Sequence, residues 1–247
     1  YLNYLMKLIK LDAIDSTNDF LKALASQDEL ENFTTVTAEN QTKGKGQVGG
    51  VWKTQAGKNL TMSVLIKDFL FNNDEVFNLS LVVSLSVAEV LKTLNIPDIC
   101  IKWPNDILSY NKKLVGILIE NTLKSDGRIV SVAGIGINVN QTDFAELPTA
   151  SSMAAVAGKS FDKEELAVLI VEKLKEKIQL WNTSSQTFWD DYFNFLFKKG
   201  IPTAFRDNNN QDFMGIIQGV SPIGKLQVLL EDDSVAEFEI KEVKMLY

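Results

Sequence analysis

The spacing of apolar residues changes along the chain, and each spacing predicts an element of structure. From 60 to 66 apolar side chains fall at every second position, which predicts a strand. Residues 75–94 are strongly apolar, which predicts a long buried helix. Apolar residues at helical spacing predict a helix over 162–180, and an aromatic-rich segment predicts a second helix over 186–198.

Shorter signals complete this pattern. Ser16 or Thr17 is suited to begin a helix, because a hydroxyl there can accept a hydrogen bond from the first free N–H groups. Strands are also predicted at 34–38, 99–102, 113–120 and 128–137. The Ser-Asp-Gly sequence at 125–127 is suited to a hairpin turn between the last two strands. After Pro202 the chain changes to short strands separated by turn residues, which predicts a small β-barrel.

Composition narrows the chemistry. The chain has 247 residues, 45% of them hydrophobic, which is enough for one large core plus a small extra domain. Its net charge of -7 argues against non-specific DNA or RNA binding, which depends on neutralising phosphates. Cys100 is the only cysteine and there is no histidine, so intramolecular disulfides, zinc clusters and histidine-based catalysis are excluded.

The sequence predicts neither a membrane span nor an export signal. The most apolar run, 79–91, contains serines and Glu89 and is too short to span a membrane. No secretory signal is visible at the N-terminus. We therefore expect a cytoplasmic protein that binds neither DNA nor membranes.

The segment 44–60 combines glycines with lysines, and residues 43–58 contain no Asp or Glu. Glycines let the backbone bend tightly and present its N–H groups to a ligand. A cationic glycine loop in an acidic protein predicts a site for a nucleotide phosphate or a carboxylate; a flexible hairpin with solvated lysines is the alternative. Its Gly-x-Gly-x-x-Gly spacing is not a dinucleotide-binding fingerprint, because a strand rather than a helix follows.

A second segment, Lys-Trp-Pro-Asn-Asp at 102–106, follows a predicted strand. Proline forces the preceding Trp103 out of the helical region and ends that strand. Asn105 and Asp106 then lie at a strand end, where α/β sheets usually bind ligands. The alternative is an ordinary polar turn beside a core tryptophan.

Two further strands carry glycines where a ligand could approach. Lys112 and Lys113 open the apolar strand 113–120, in which Gly116 would let a ligand approach the backbone closely. Glycines also alternate in the segment 134–140, which weakens a strand unless a ligand lies against it. An ordinary strand with solvated lysines and a bulged strand with a turn are the respective alternatives.

These segments, in this order, resemble the biotin protein ligases. The family's Gly-Arg-Gly-Arg-x-Gly-x-x-Trp is similar to the sequence from Gly44 to Trp52. The other family motifs stand as Gly-x-Asn-Leu at 57–60, Lys-Trp-Pro-Asn-Asp at 102–106, Lys-Leu-x-Gly-Ile-Leu-x-Glu at 113–120 and Gly-x-Gly-Ile-Asn at 134–138. Ser-Thr-Asn at 16–18 matches a further family motif near the start. The resemblance covers nearly the whole chain.

The resemblance implies an α+β fold. It consists of a mixed β-sheet flanked by helices, related to class II aminoacyl-tRNA synthetases, and a C-terminal SH3-like β-barrel. We expect a catalytic ligase domain at 1–200 and the barrel at 201–247. Some family members carry an N-terminal helix-turn-helix domain that binds DNA, and we expect this chain to be a short form without it.

The resemblance also implies substrates and partners. ATP and biotin would be the substrates, with Mg²⁺ as the metal. The protein partner would be a biotin carboxyl carrier protein, or the carrier domain of acetyl-CoA carboxylase or a related carboxylase. The enzyme would be a monomer or a weak homodimer.

Site residues follow from the matched motifs. Catalysis is assigned to Lys113, Asp106 and Lys45. The residues expected to bind biotin are Ser16, Thr17, Asn18, Gln41, Gly44, Lys45, Gly46, Lys113, Gly116 and Gly134. The residues expected to bind ATP or the adenylate are Gln47, Trp52, Asn59, Lys113 and Asn138. Trp52 would stack on adenine and Asn138 would read its edge, whereas the metal ligands are unknown.

The implied reaction first joins biotin and ATP into biotinyl-5′-AMP and then passes the biotinyl group to a carrier lysine. Lys113 would bridge the biotin carboxylate and the α-phosphate, and Lys45 would support the phosphates. Asp106 would take or steer the proton of the attacking lysine, because a lysine with a pKa of about 10.4 is almost wholly protonated at pH 7.

One position departs from the family pattern. Gln47 replaces the second arginine of the glycine motif, and Lys45 replaces the first. A neutral amide cannot offset phosphate charge or make the bidentate contacts of arginine. We therefore expect the adenylate to be held less firmly, unless another lysine compensates.

Two alternatives stay open at this point. A lipoate-type ligase of related fold would use the same adenylate chemistry on another acid. A non-enzymatic sensor that binds biotin or a nucleotide would need no catalytic lysine or carboxylate, so Lys113 and Asp106 argue against it.

Overall fold

The computed structural model describes residues 7–70 and 76–247. Seven strands precede residue 140: β1 Leu8–Ile14, β2 Thr35–Gln41, β3 Leu60–Lys67, β4 Ile99–Lys102, β5 Asp106–Ser109, β6 Lys112–Leu123 and β7 Ile129–Ile137. Five follow residue 200: β8 Pro202–Asp207, β9 Asp212–Val220, β10 Leu226–Leu229, β11 Val235–Phe238 and β12 Val243–Leu246. The helices are α1 Thr17–Gln27, α2 Val76–Thr93, α3 Met153–Ala157 and α4 Lys163–Phe195.

The first seven strands form one sheet in the order β1-β2-β3-β7-β6-β5-β4. Strands β1 and β2 pair in parallel, and every other neighbouring pair in this sheet is antiparallel. The predicted mixed sheet is therefore confirmed. The predicted turn at 125–127 joins β6 to β7, with the Lys124 N–H donating to the Arg128 carbonyl at 2.8 Å.

Helix α1 begins as its sequence predicts. Ser16 is the residue that caps it, and its Oγ accepts a hydrogen bond from the Asp19 N–H. This contact satisfies one of the backbone donors that a helix start leaves free. The helix consequently begins beside the ends of β1 and β2, with Thr17 in its first turn.

Helix α4 corrects the prediction of two helices at 162–180 and 186–198. It runs unbroken from Lys163 to Phe195, because the connecting residues include neither glycine nor proline. The rings of Trp181 and Phe188 also stack across the expected gap, with centroids 6.2 Å apart. The chain leaves the helix at Leu196, which forms a bridge to Ile101.

Helix α2 matches the predicted helix, although residue 75 lies outside the described residues. Val76–Thr93 is long and apolar enough to cross a membrane by length and composition, which corrects the expectation from the shorter run 79–91. However, 67% of this span is buried, and α2 packs against α4 and β4. These contacts make it a core helix of the fold described here.

The last five strands form an antiparallel sheet in the order β11-β10-β9-β8-β12. This sheet is consistent with the expected SH3-like domain. Phe205, Ile217 and Val228 belong to the same hydrophobic cluster as Trp103. The Trp103 indole N–H also donates to the Gly224 carbonyl at 2.9 Å, so the two sheets share buried contacts.

Candidate active site

A cleft opens on the face of the large sheet formed by β3, β6 and β7, below the start of α1 and the glycine loop. It contains about 490 Å³ of space not filled by protein atoms, counting the part open to solvent. Of the predicted site residues, those that line it are Ser16, Thr17, Asn18, Gln41, Lys45, Gly46, Gln47, Trp52, Lys113, Gly116 and Gly134. Residues from four separate sequence motifs therefore meet at one cavity.

Thr17 and Gln41 form the polar end of the cleft. The Thr17 N–H donates to Oε1 of Gln41 at 2.9 Å, and the Thr17 hydroxyl lies 3.1 Å from the same oxygen. A β-carbon added at Gly44 would come within 2.7 Å of the Gln41 Nε2 atom. Gly44 itself does not line the cleft, and it leaves room for the amide that does.

Asn18 is buried, and both its Nδ2 and its Oδ1 atoms form hydrogen bonds with protein atoms. Its Nδ2 donates to the Leu118 carbonyl at 3.2 Å and to Oε2 of Glu120 at 2.8 Å. Its Oδ1 accepts from the Ser63 hydroxyl at 2.6 Å. A β-carbon at Gly134 would lie only 2.4 Å from that Oδ1. The glycine at 134 therefore makes room for Asn18.

Trp52 lies across a pair of glycines. Gly116 and Gly136 are direct partners across β6 and β7. Added β-carbons at these two positions would approach the indole to 2.8 and 2.4 Å respectively. The glycine alternation attributed above to a ligand thus admits a tryptophan side chain. The indole N–H is buried, and among the described residues it has no hydrogen-bond partner.

Lys113 and Asp106 form an ion pair beside the cleft. Lys113 Nζ lies 2.6 Å from Asp106 Oδ1 and 5.5 Å from the centroid of the Trp52 ring. A register shift between Ile107 and Leu108 in the β5–β6 pairing sets Lys113 opposite Leu108. The side chains of Lys113 and Asp106 are 35% and 20% exposed, so both can still be reached from solvent.

The glycine loop forms a hairpin, and two of the lysines in or beside it have acidic partners from elsewhere in the chain. Lys45 Nζ lies 2.6 Å from Asp19 Oδ2, and Lys43 Nζ lies 2.7 Å from Asp15 Oδ2. The loop's own sequence carries only positive charges, but in the fold Asp15 and Asp19 offset two of them. Burial raises the pKa of the Asp19 carboxyl, but hydrogen bonds from Lys45 and Lys22 outweigh it and hold that pKa below its usual value.

Three other predicted residues lie outside the cleft lining. Asn59 is buried, and its Oδ1 accepts from the Val139 N–H at 3.0 Å while its Nδ2 donates to Gln141 Oε1 at 2.6 Å. Asn138 is also buried, and its N–H donates to the Leu114 carbonyl. Asp106 reaches the cleft through its ion pair with Lys113. The nucleotide-binding roles of Asn59 and Asn138 and the catalytic role of Asp106 stay predictions.

The site list from the sequence missed seven residues that line the cleft: Thr61, Met62, Asn105, Ile117, Leu118, Ile135 and Gly136. Leu118 and Gly136 lie two positions from Gly116 and Gly134 on the same strands, so strand alternation carried part of the signal. The Asn105 side chain donates a hydrogen bond to the Ile117 carbonyl. This contact ties the turn before β5 to β6.

No group of three or more His, Cys, Asp or Glu side chains suited to a metal occurs in residues 7–70 and 76–247. This part of the chain therefore offers no preformed cage of carboxylates. Mg²⁺ in nucleotide sites usually keeps several waters and binds substrate phosphates with one or two protein carboxylates.

Comparisons with known proteins agree with this geometry. The sequence profile of the biotin/lipoate A/B protein ligase family matches residues 11–140. The chain is 30% identical over 231 residues to the bifunctional ligase/repressor BirA of Escherichia coli, covering 91% of this chain and 69% of that protein. It is 28% identical to the biotin–[acetyl-CoA-carboxylase] ligase of Mycobacterium tuberculosis over 215 residues, covering 85% of this chain and 79% of that protein.

The fold is similar to that of a biotin protein ligase from Aquifex aeolicus, solved in complex with biotin and ATP. The TM-score is 0.79 at 27% identity, and the match covers 97% of this chain and 98% of the other. A matched family profile over more than half of the sequence, and a similar fold over nearly all of it, agree with the residues gathered at the cleft. The chain belongs to the biotin/lipoate A/B protein ligase family, and the protein is a ligase that resembles the biotin protein ligases.

Proposed function

We propose that this protein uses ATP to attach biotin, through biotinyl-5′-AMP, to one lysine of a biotin carrier domain. The observation that carries the proposal is the Lys113–Asp106 pair at the edge of a cleft lined by residues of five of the family's motifs, Asn105 included. A cation and a carboxylate so placed match the needs of the two successive steps. The relative from Mycobacterium tuberculosis is named for a carboxylase acceptor, which supports a carrier of that class.

The cleft suits an acid with a polar head and an apolar body. Thr17 and Gln41 offer donors and acceptors at one end, where we propose that the ureido ring of biotin binds. Leu118 and Trp52 supply apolar surface, because Leu118 shares a face of β6 with Gly116, over which the Trp52 indole lies. Such a combination of few polar groups and an apolar lining is typical of small-molecule sites.

The first step brings two anions together, and Lys113 would offset their charge. A biotin carboxylate and the α-phosphate of ATP repel each other unless cations or N–H groups converge on them. Lys113 lines the cleft and would supply one such cation. Lys45 would give up its contact with Asp19 and contact the phosphates of ATP instead. One well-placed donor to a developing charge contributes roughly 10²- to 10³-fold in rate.

The second step needs a neutral lysine on the carrier. Asp106 would accept or steer its proton once Lys113 has turned to the adenylate. The chain has no histidine, so a carboxylate is the available base at this place. We propose that the proton leaves the carrier amine for Asp106 as the amine attacks the biotinyl carbonyl and AMP departs.

Adenine would lie against Trp52, whose indole is already held over Gly116 and Gly136. Mg²⁺ would arrive with the ATP phosphates, and we derive no step through it. Cytoplasmic location remains an expectation from the sequence, and a monomeric or weakly dimeric state remains one from the resemblance.

The test is biotin-dependent release of pyrophosphate from ATP, followed by transfer of labelled biotin to a carrier domain. Lipoate and octanoate are offered in parallel as competing acids. Release with biotin and transfer to the carrier would support the proposal. Release with lipoate only would assign the related lipoate activity, and binding without release would indicate a sensor.

A further inference from the structure

Glu120 lies next to the cleft, on the same face of β6 as the lining residues Gly116 and Leu118. Its two carboxylate oxygens are used by two different donors. Oε2 accepts from Asn18 Nδ2 at 2.8 Å, and Oε1 accepts from Lys22 Nζ at 2.5 Å. The Glu120 side chain is 28% exposed, so this carboxylate is largely shielded from water.

Asn18 connects Glu120 to the polar end of the cleft through a chain of hydrogen-bonding contacts. Its Oδ1 lies 2.6 Å from the Ser63 hydroxyl, and that hydroxyl lies 2.8 Å from the Thr17 hydroxyl. Thr17 in turn contacts Gln41 through both its N–H and its hydroxyl. Ser63, Thr17 and Asn18 are each at most 4% exposed. Buried polar chains of this kind hold a single geometry only when every member is satisfied.

We propose that Glu120 is a positioning residue for biotin. It does not touch the ligand. By fixing the orientation of the Asn18 amide, it fixes Ser63 and Thr17, and so the donors and acceptors presented to the ureido ring. The inference rests on the proposed function, because it assigns this end of the cleft to biotin.

The effect follows from counting acceptors. A carboxylate has one oxygen for Asn18 and one for Lys22, whereas glutamine has a single oxygen. In Glu120→Gln the cation of Lys22 takes that oxygen, since hydrogen bonds to charged groups are the stronger ones. The glutamine NH₂ then faces the Asn18 NH₂, and Asn18 must turn away. Removing Lys22 as well would free the glutamine oxygen for Asn18.

A neutral residue at position 120 should leave the proposed phosphate-binding end of the cleft, near Lys45, unchanged. Lys22 also lies 3.1 Å from Asp19, and Lys45 lies 2.6 Å from the same carboxylate. Both contacts survive a neutral residue at 120. The prediction is therefore a change in the KM for biotin without a matching change in the KM for ATP.

The experiment compares two double variants that differ in one acceptor. Lys22→Met/Glu120→Gln keeps an oxygen facing Asn18, and Lys22→Met/Glu120→Met does not; neither leaves an unpaired charge. We expect the first to keep a KM for biotin close to that of the wild type, and the second to raise it about tenfold. Glu120→Gln alone should also raise it about tenfold, with the KM for ATP and kcat changed less than about twofold.

The matched control is Glu89→Gln, which removes the charge from another half-buried ion pair, with Lys177 at 2.7 Å and away from the cleft. Its carboxylate is 27% exposed, close to that of Glu120, so it measures the general effect of weakening such a pair. Equal biotin KM values in the two double variants, or a tenfold rise shared by Glu89→Gln, would overturn the proposal. Absence of biotin-dependent pyrophosphate release in the wild type would instead refute the proposed function.

Discussion

The Nζ atom of Lys113 and the Oδ1 atom of Asp106 lie 2.6 Å apart, so the residues proposed for the two half-reactions form one ion pair. An incoming carboxylate or phosphate has to compete with Asp106 for the lysine. In the proposed reaction Lys113 would turn towards the adenylate, and Asp106 would lose its partner when the carrier amine needs a proton acceptor. The ion pair would then link the order of the two steps to one exchange of contacts.

Replacement of Lys113 by alanine should stop the first step. We expect biotin-dependent pyrophosphate release to fall by about 10²- to 10³-fold, because one donor to the developing charge is removed. The melting temperature should change little, since a partly exposed ion pair contributes about 0–1 kcal/mol. Lys112→Ala, at the exposed neighbouring position, is the control. Pyrophosphate release by Lys113→Ala at the wild-type rate would refute the catalytic assignment of Lys113.

Asp106→Asn should affect the second step more than the first. Transfer from preformed biotinyl-5′-AMP to the carrier, measured in a single turnover, should slow by about 10²-fold. The deficit should shrink as pH rises from 7 to 9, because the neutral fraction of the carrier amine grows about tenfold per unit below its pKa. If pyrophosphate release and transfer fell equally, Asp106 would have no role particular to transfer.

Gly136→Ala should displace the Trp52 indole. A β-carbon there would lie 2.4 Å from Cε2 of the ring, so the side chain must move. If Trp52 carries adenine, the KM for ATP should rise about tenfold, while the KM for biotin changes less. Trp52→Phe/Gly136→Ala should be no worse than Trp52→Phe alone, since contacting residues couple. Independent, additive effects of the two substitutions would contradict this contact.

Gln47→Arg should slow escape of the adenylate. Gln47 begins a 3-10 turn at 47–49 and lines both the cleft and the space between Pro104 and the C-terminal sheet. A charge-assisted contact to the phosphate would contribute about 1.5–3 kcal/mol, which slows release by about 10- to 100-fold. The dissociation rate of preformed adenylate and background biotinylation of a bystander protein give the readout. Equal rates in the two proteins would mean that the departure at 47 is neutral.

The Cys100 thiol should react slowly in the native protein. Burial, with a smaller contribution from the charge of Asp98, raises its pKa from 9.0 to about 12. The difference of about three units leaves about 10³-fold less thiolate at pH 8 than in the unfolded chain, so iodoacetamide should label it far more slowly.

The same pKa difference has a consequence for stability. The pKa of Cys100 is higher in the native than in the unfolded protein, so its contribution to the free energy of unfolding is fully present below pH 9. That contribution is lost progressively as pH rises from 9 towards 12. Cys100→Ser should reduce that loss in alkaline unfolding experiments. Native labelling as fast as in denaturant would contradict the shifted pKa.

The sequence by itself determined most of the local elements and the family to which the chain belongs. Alternating apolar positions gave strand β3, Ser16 marked the start of α1, and the turn at 125–127 joined β6 to β7. These features depend on neighbouring residues, so their signals are short-range. The resemblance to the family's motifs likewise implied catalytic roles for Lys113 and Asp106, whose side chains lie 2.6 Å apart in the fold.

Only the tertiary structure decided which distant residues meet. Asn18 and Glu120 are 102 positions apart, and nothing in local periodicity pairs them. The sequence predicted a ligand against Gly134, whereas in the fold the Asn18 side chain lies there. Lys45 has no acidic neighbour in its own segment, but Asp19 of α1 lies 2.6 Å from it. Such contacts depend on the order of strands in the sheet and on how helices pack over it, and these arise from the burial of the whole chain rather than from any one segment of it.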